Sequence, residues 1–290
     1  MKKLLLLTVI LAATAASAQF TYTSLDFPGA TLTTARGINS RGDIVGSCRL
    51  TPPRHAMLLR GGRFLPLAPS TLLGTDFSEA YKTNDRGDVV GSYAGDDNLF
   101  HGFVLHKGVV TTLDFPGATQ TYAFGINESG AVVGEWDVLD AQGNLLAYHG
   151  YTWKDGTFSE VNFPGSADTA LIGINAEGDY VGIWDSDITS PNGHGFVCSK
   201  QTCASFDVPG ATLTQADDIN DRGQIVGAFI DTNSAAHGFL KVRDSFTVLD
   251  YPGAVTTVPW GINSRGDIVG NHFDSVAAAP RGFLARRTAE

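Results

Sequence analysis

The feature that most constrains the fold is a short segment that recurs six times along the chain. Its first copy runs from Ile38 to Gly46, and in every copy one glycine follows the asparagine by three residues and another by seven. Fixed internal spacing, with length variation confined to the rest of the unit, predicts a repeat architecture. Steps of 45, 43, 48, 45 and 43 residues separate the asparagines, which are Asn39, Asn84, Asn127, Asn175, Asn220 and Asn263.

The recurring asparagine and glycine predict a tight turn between two strands. In a type I turn, an asparagine at the first position bonds back to the backbone, and a glycine at the fourth takes the left-handed conformation. Apolar runs flank this turn, and two further strand-like segments follow it, as His101–Leu105 and Val109–Leu113 illustrate. Four strands are therefore predicted for each copy, and residues 19–290 divide into six repeats of about 45 residues.

A second motif, Asp-Phe-Pro-Gly-Ala-Thr, joins one copy to the next. It stands at Asp26–Thr31 and at Asp114–Thr119. Variants of it begin at Asn162, Asp207 and Asp250. Its Pro-Gly pair ends a strand and turns the chain into the next unit. In the second copy residues 68–70 read Ala-Pro-Ser instead, so we expect a looser join there.

The two ends of the chain predict a closed ring. The sixth copy stops after its third strand, Arg281–Leu284, whereas Phe20–Phe27 matches the fourth strand of a copy, as Thr111–Phe115 shows. Pairing the N-terminal strand with the last copy would leave no open edge between the first and last units. We therefore predict an all-β fold, a six-bladed β-propeller of four-stranded blades closed in this way. The alternative, a β-solenoid, would leave the N-terminal strand unpaired.

The N-terminus has the layout of a secretory signal peptide over residues 1–18. Lys2 and Lys3 precede the apolar run Leu4–Ala13, and small residues end the segment at Ala16 and Ala18. We expect a mature chain of residues 19–290 that forms a single propeller domain and is secreted or periplasmic. An uncleaved N-terminal anchor is the alternative. No later stretch approaches the ~20 apolar residues of a membrane span.

The net charge limits the classes of partner, and the cysteine spacing predicts a disulfide. The net charge of -10 argues against a nucleic acid or an anionic lipid surface as partner. Cys198 and Cys203 have a spacing that places them opposite each other across a hairpin end, and we predict a disulfide between them. Cys48 lies in an apolar strand pattern, which favours a small buried side chain.

These motifs resemble the family of probable extracellular HAF-repeat proteins. The family unit has a Gly-Ile-Asn-x-x-Gly-x-Val-Val-Gly core, found here at Gly125–Gly134, followed by a His-Ala-Phe-type strand. That strand begins at His55, His101, His149, His194, His237 and, with arginine in place of histidine, Arg281. Most copies also have glycine in place of the alanine. The resemblance covers nearly the whole mature chain and implies the repeat but no activity, because the family has no established one.

The repeated histidines and the loop aspartates are candidate metal ligands. Each histidine opens the third strand of its unit, about 9–10 Å outside the innermost strand, so histidines of different blades cannot share one ion. We predict no metal site and no cofactor, and we expect these histidines to tie loops by hydrogen bonds. Calcium at aspartates of the loop-rich face stays open, although no twelve-residue loop motif is present. These aspartates are Asp96, Asp97, Asp137, Asp140, Asp185, Asp187, Asp231 and Asp274.

Function is expected where the copies differ, in the loops and at the start of each innermost strand. We predict a ligand site near the axis on the acidic, loop-rich face. Its candidate residues are Arg36, Glu79, Tyr81, Tyr122, Asp168, Asp217, Asp218 and Trp260, with Lys82 and Phe124 beside them. Aromatic side chains mixed with carboxylates suit a sugar or a cationic small molecule.

Three functions fit these features. The leading hypothesis is an exported, monomeric binding module whose partner is a small molecule, a carbohydrate or a protein outside the cytoplasm. The alternative is an extracytoplasmic hydrolase or lyase acting on a carbohydrate or small molecule, because two carboxyl groups about 5 to 9.5 Å apart can hydrolyse glycosides. A structural part of a surface assembly is the third. No catalytic residue is assigned, since the sequence has no Ser-His-Asp signature and no Gly-rich phosphate loop.

Overall fold

Six four-stranded antiparallel sheets form the part of the chain that the computed structural model describes, namely residues 20–50, 53–67, 77–187, 192–200, 202–276 and 278–288. The sheets are arranged as the blades of a β-propeller, as the repeat predicts. The signal peptide predicted for residues 1–18 and the variant join at residues 68–70 lie outside these ranges. Within them, no helix has the length and hydrophobicity needed to cross a membrane.

The strands, numbered β1 to β24 along the chain, occupy four positions from the axis outward. The innermost strands are β2 (Leu32–Ile38), β6 (Ser78–Thr83), β10 (Gln120–Ile126), β14 (Asp168–Ile174), β18 (Leu213–Ile219) and β22 (Thr256–Ile262). The second strands are β3 (Ile44–Arg49), β7 (Val89–Ala94), β11 (Val132–Leu139), β15 (Tyr180–Asp185), β19 (Gln224–Ile230) and β23 (Ile268–Phe273). We number the blades 1 to 6 in the order of these innermost strands.

The outer half of each blade repeats the same order. The third strands are β4 (His55–Arg60), β8 (Phe100–His106), β12 (Leu145–Lys154), β16 (His194–Ser199), β20 (Ala236–Val242) and β24 (Arg281–Arg287). The outermost strands are β5 (Arg63–Pro66), β9 (Val109–Leu113), β13 (Thr157–Glu160), β17 (Thr202–Phe206), β21 (Ser245–Leu249) and, in blade 6, β1 (Phe20–Leu25).

The ring is closed by the two ends of the chain. Strand β1 pairs antiparallel with β24, so that Phe20 lies opposite Arg287 and Leu25 lies opposite Gly282. The last blade therefore has the order β1-β24-β23-β22, and its outermost strand comes from the N-terminal side of the chain. This confirms the predicted closure. Hydrogen bonding along β24 covers an edge that would otherwise be open to pairing with another chain.

The core lies between neighbouring blades. It explains the last glycine of the Asn-x-x-Gly repeat and the aromatic residue of the His-Gly-Phe strand, because these two residues pack against each other. A Cβ on Gly91 would lie 2.0 Å from the carbonyl oxygen of Glu79 and 2.7 Å from the ring of Phe103, so no larger residue fits. In five blades one aromatic side chain of the third strand packs against the equivalent glycine and is fully buried: Phe103, Tyr151, Phe196, Phe239 and Phe283. Burial of such a side chain stabilises the fold by about 2 to 3 kcal/mol.

The six repeated asparagines, which we call the asparagine ring, surround one end of the axis. The Asn39 side-chain oxygen accepts hydrogen bonds from the backbone N–H groups of Arg41 and Asp43, as expected for a turn. Its side-chain nitrogen donates to the carbonyl oxygen of Asn84 in the next blade (3.1 Å). Equivalent bonds run from Asn84 to Asn127, Asn127 to Asn175, Asn220 to Asn263 and Asn263 to Asn39. The asparagines thus form the turns and also join the blades.

The joins between blades follow the chemistry of their motif. The Ala30 N–H donates to the Phe27 carbonyl oxygen across Pro28 and Gly29, and Gly29 has a φ of 79°, which defines a type II turn. The aspartate of this motif meets the histidine of the third strand, as the 2.8 Å between Asp114 Oδ1 and His101 Nδ1 shows. The same pairing joins His194 to Asp207 and His237 to Asp250. The expected hydrogen-bonding role is therefore observed for these three histidines, whereas the Nδ1 atoms of His55 and His149 are buried without a partner among the described residues.

The three cysteines form one disulfide in the outer half of a blade and one free thiol in a second strand. Cys198 and Cys203 are disulfide-bonded across the hairpin of β16 and β17, with their Cα atoms 4.0 Å apart. Cys48 is a buried free thiol in β3, and its burial raises its pKa.

Candidate functional site

A β-bulge in every blade positions the side chains of the candidate site. In blade 1, Ala35 pairs with Gly46 and Gly37 pairs with Val45, so Arg36 is left without a partner in the ladder. The same one-residue slip occurs three positions before each ring asparagine. A bulge re-aims the extra side chain. The six extra residues, which we call the bulge ring, are Arg36, Tyr81, Phe124, Ile172, Asp217 and Trp260.

All six residues of the bulge ring line one cavity of about 400 Å³ at the axis, on the loop-rich face. Its volume lies within the range of about 300 to 1,000 Å³ that is usual for small-molecule sites. The long hairpin of β11 and β12 in blade 3 supplies a further wall: Glu135, Asp137, Leu145 and Tyr148. Blades 4 and 5 add Ala170, Ile183 and Gln215.

A buried ion pair lies between this cavity and the asparagine ring. Four blades have glycine two positions before the asparagine, and a Cβ on Gly37 would lie 2.6 Å from the Tyr81 carbonyl oxygen of the next blade. Blades 2 and 5, which face each other across the ring, have Lys82 and Asp218 there instead. The Lys82 Nζ atom lies 2.7 Å from Asp218 Oδ2, and both residues are buried. The pair therefore links two opposite blades across the axis.

A fixed cation forms one side of the cavity. The guanidinium of Arg36 lies over the ring of Trp260, 3.9 Å from its centroid, and 5.7 Å from the centroid of Tyr81. Arg36 Nε donates to Glu79 Oε1 (3.0 Å), and Arg54 Nη2 donates to the same oxygen (2.6 Å). Burial acts to raise the pKa of Glu79, but the two guanidiniums outweigh it and the pKa is lowered. Arg36 is therefore held in place and charged.

Carboxyl groups occupy the other sides. Glu135 and Asp137 project from the same side of β11, and burial raises the pKa of both; the negative charge of Asp137 adds to the effect at Glu135. Asp217 is 1% exposed, and its Oδ1 accepts a hydrogen bond from Gln215 Nε2 (2.6 Å). Burial raises the pKa of Asp217 to about 7. Among the described residues, Asp217 Oδ2 and Asp137 Oδ1 are buried without a hydrogen-bond partner.

Four of the eight predicted site residues line the cavity: Arg36, Tyr81, Asp217 and Trp260. The other four lie behind or below it. Glu79 anchors Arg36, and Asp218 belongs to the ion pair with Lys82. Tyr122 stacks on Phe124 with ring centroids 5.7 Å apart, and Asp168 accepts a hydrogen bond from the backbone of Tyr148 (3.0 Å). These four residues support the cavity walls or the channel beneath them.

The blade 3 wall was not predicted as part of the site. Asp137 was assigned to the acidic face, whereas Glu135, Leu145 and Tyr148 were not singled out at all. They lie on second and third strands, whereas the prediction considered the loops and the starts of the innermost strands. A signal was present, because Glu135 is the only acidic residue at its repeat position. The equivalent residues are Ser47, Ser92, Ile183, Ala228 and Asn271.

Within the described ranges, no group of three or more histidine, cysteine, aspartate or glutamate side chains is placed to hold a metal ion. Three of the repeated histidines, His101, His194 and His237, pair with aspartates of their own blades. The arrangement at the axis therefore offers aromatic surface, one guanidinium and several carboxyl groups to a ligand.

No protein-family model matches the chain, and no curated protein matches its sequence. Among solved structures it is similar to a protein of unknown function from Dyadobacter fermentans, at 9% identity over 93% of this chain and 98% of that chain, with a TM-score of 0.56. It is also similar to the β-propeller domain of the Trilobed protease from Pyrococcus furiosus, at 8% identity over 89% and 98% of the two chains, with a TM-score of 0.51. That domain is described as having an open velcro topology, whereas β1 and β24 pair here. At such low identity the likeness shows the propeller fold alone.

Proposed function

We propose that this protein is a binding module that holds a small organic molecule in the axial cavity of the loop-rich face. The observation that carries the proposal is the bulge ring. Six structurally equivalent positions point into one cavity, and each bears a different side chain. Residues that build the propeller recur from blade to blade, so the ring itself does not require this difference. A ligand without sixfold symmetry meets each blade differently and does require it.

The composition of the cavity supports the same function. Aliphatic and aromatic side chains such as Phe124, Ile172 and Trp260 provide apolar surface, and a few charged groups lie among them. Small-molecule sites usually combine a mainly apolar lining with a small number of polar groups that orient the ligand. The buried oxygen of Asp217 that lacks a partner is one such group.

A ligand screen with a cavity-filling variant tests the proposal. Binding of a small molecule at 100 times its Kd should raise the melting temperature by about 5 °C or more. Replacing Ile172→Trp should abolish the shift, because the larger side chain occupies the cavity. Ile172→Val is the matched control at the same position, and Ala176→Trp is a control at the asparagine-ring end. A ligand that binds Ile172→Trp with unchanged affinity by calorimetry would place the site elsewhere.

Hydrolysis of a carbohydrate or ester is the second candidate function. The carboxyl group of Asp217 faces the same cavity as Glu135 and Asp137, and a protonated acid beside an ionised one can act as general acid and general base. Turnover on a glycan and ester panel, lost in Asp217→Asn and kept in Glu160→Gln, would establish it. Purified protein that binds a panel compound without turning it over contradicts it.

We also propose that the protein is exported as a member of the HAF-repeat proteins. The disulfide between Cys198 and Cys203 supports export, since such bonds persist in oxidising compartments. Expression of the full chain in a Gram-negative host should yield a periplasmic or secreted product whose N-terminal residue is Gln19. A cytoplasmic product that retains Met1 would contradict the proposal.

A further inference from the structure

The arginine side of the axial cavity has two guanidiniums, with Glu79 bound to both and Asp217 near Arg36. Arg36 and Arg54 both bind one oxygen of Glu79, so a single carboxylate serves two guanidiniums. In the described part of the chain, Nε is the one nitrogen of Arg36 that has a hydrogen-bond partner. The guanidinium carbon of Arg36 lies 3.9 Å from the centroid of the Trp260 ring, and Arg36 lines the cavity. A guanidinium held in this way presents a planar pair of donors that matches a carboxylate.

The negative side has the opposite imbalance. Neither carboxyl group of Glu135 and Asp137 has a hydrogen-bond or ion-pair partner among the described residues, although Asp137 is only 7% exposed. The nearby ammonium of Lys82 is already bound to Asp218, 2.7 Å away. Two partly buried carboxyl groups two residues apart on one strand are unfavourable unless a cation or protons compensate them.

From these two walls we infer that the ligand is a small zwitterion, with its ammonium group bound by Glu135 and Asp137 and its carboxylate bound by Arg36. Free amino acids, ω-amino acids and short peptides have this chemistry. The inference rests on the proposed function, since it assigns a ligand class to the same cavity.

Each simpler ligand class leaves part of the cavity uncompensated. A neutral sugar would supply no positive charge to the carboxyl groups of Glu135 and Asp137. A ligand with only a positive charge would leave the guanidinium of Arg36 without an anionic partner from the ligand. A ligand with only a negative charge would face the carboxyl groups of Glu135, Asp137 and Asp217. A zwitterion satisfies both walls at once. The apolar surface formed by Ala170, Ile172 and Ile183 can then accommodate a side chain or methylene chain.

Calorimetry with capped ligands tests the assignment. The probes are the common amino acids, glycine peptides, 4-aminobutyrate and 6-aminohexanoate, each beside its N-acetyl and its C-terminal amide derivative. The ω-amino acids vary the distance between the two charges. We expect at least one zwitterion to bind, and we expect either cap to weaken it about 10- to 100-fold, as is typical for loss of a charge-assisted hydrogen bond. An N-acetyl derivative that binds as tightly as its parent would overturn the inference.

Charge-neutralising variants assign the ammonium site. Glu135→Gln and Asp137→Asn should each weaken the zwitterion about 10-fold or more, and they should leave the affinity for its N-acetyl derivative unchanged. Both are expected to fold, because neither carboxyl group holds another residue in the described structure. Glu160→Gln, an exposed change in the outermost strand of the same blade, is the matched control. Equal binding of the zwitterion by Glu135→Gln, Asp137→Asn and wild type would overturn the inference.

The outcomes separate the ligand class from the site. If a neutral or singly charged compound binds, is blocked by Ile172→Trp, and no zwitterion competes with it, the zwitterion assignment is wrong and the binding function stands. If no compound of a broad panel responds to Ile172→Trp, the proposed function itself is contradicted.

Discussion

The two ends of the axis differ although the same six strands build both. At one end stands the asparagine ring, where every blade has the same residue. Three positions earlier stands the bulge ring, where every blade has a different one. Strand β2 illustrates the contrast, because it contains the variable residue Arg36 and is followed directly by the repeated residue Asn39. The structure explains why one position repeats and the other varies.

The asparagine position is bound on all sides. Asn263 accepts hydrogen bonds from the backbone of Arg265 and Asp267, and it donates to Asp267 and to the carbonyl oxygen of Asn39 in blade 1. A residue at a bulge has no partner in the ladder of backbone pairs, and its side chain makes no hydrogen bond that the turn requires. Its identity is therefore free to follow the ligand. The comparison shows that the residues that stabilise the ring and the residues that line the cavity are three positions apart on the same innermost strands.

The largest effect is expected at the asparagine ring. Replacing Asn263→Ala removes four hydrogen bonds and leaves buried backbone groups without partners, so the free energy of unfolding should fall by about 4 kcal/mol. Asn263→Asp keeps the acceptor of the turn but loses the donor to blade 1, and it separates the two roles. Urea denaturation measures both. A loss below about 1 kcal/mol for Asn263→Ala would remove the contrast between the ends.

The buried ion pair between the two ends should give the next largest effect. Lys82→Met leaves Asp218 buried without its partner and should lower the free energy of unfolding by about 3 kcal/mol. The double variant Lys82→Met/Asp218→Asn should recover most of the loss, since asparagine can still accept the hydrogen bond from Ile262 N–H. Equal losses in the single and double variants, measured by urea denaturation, would show that the pair is not the cause.

Asp217 should show a dependence on pH that the asparagine ring lacks. Its pKa is raised from 3.8 to about 7, so between these pH values the folded state keeps a proton that the unfolded state has released. The free energy of unfolding therefore falls as the pH rises from 3.8 to about 7. Asp217→Asn removes the effect. The free energy of unfolding of the variant should exceed that of wild type by about 4 kcal/mol at pH 8 and match it near pH 4. Thermal melts across this range measure the difference, and parallel curves for the two proteins would contradict the assigned pKa.

The smallest effect is expected at an uncharged bulge position. Ile172→Ala should lower the free energy of unfolding by about 1 kcal/mol, because the side chain is half-buried at the cavity. Ile262→Ala, at a core position one residue before a ring asparagine, is the matched control and should cost about 3 kcal/mol. Similar losses for the two variants would mean that the bulge ring is part of the core.

Much of the fold could be predicted because it repeats. The Asn-x-x-Gly turns, the Pro-Gly joins and the four-strand unit depend on local backbone chemistry, which recurs wherever the residues recur. The closure by β1 was predictable because a strand missing from one end of the sequence was present at the other. The candidate site was predicted only in part. Arg36 and Trp260 were found by asking where copies differ, whereas Glu135 was not.

The sequence by itself determined the number of blades, the strands within each and the strand that closes the ring, because these follow from local turns and from apolar periodicity. Only the tertiary structure decided which residues face the ligand cavity. A bulge changes the direction of one side chain by a slip of register, and the part of the wall formed by Leu145 depends on the length of one hairpin relative to its neighbours. Both are properties of strand pairing, which sequence spacing does not record.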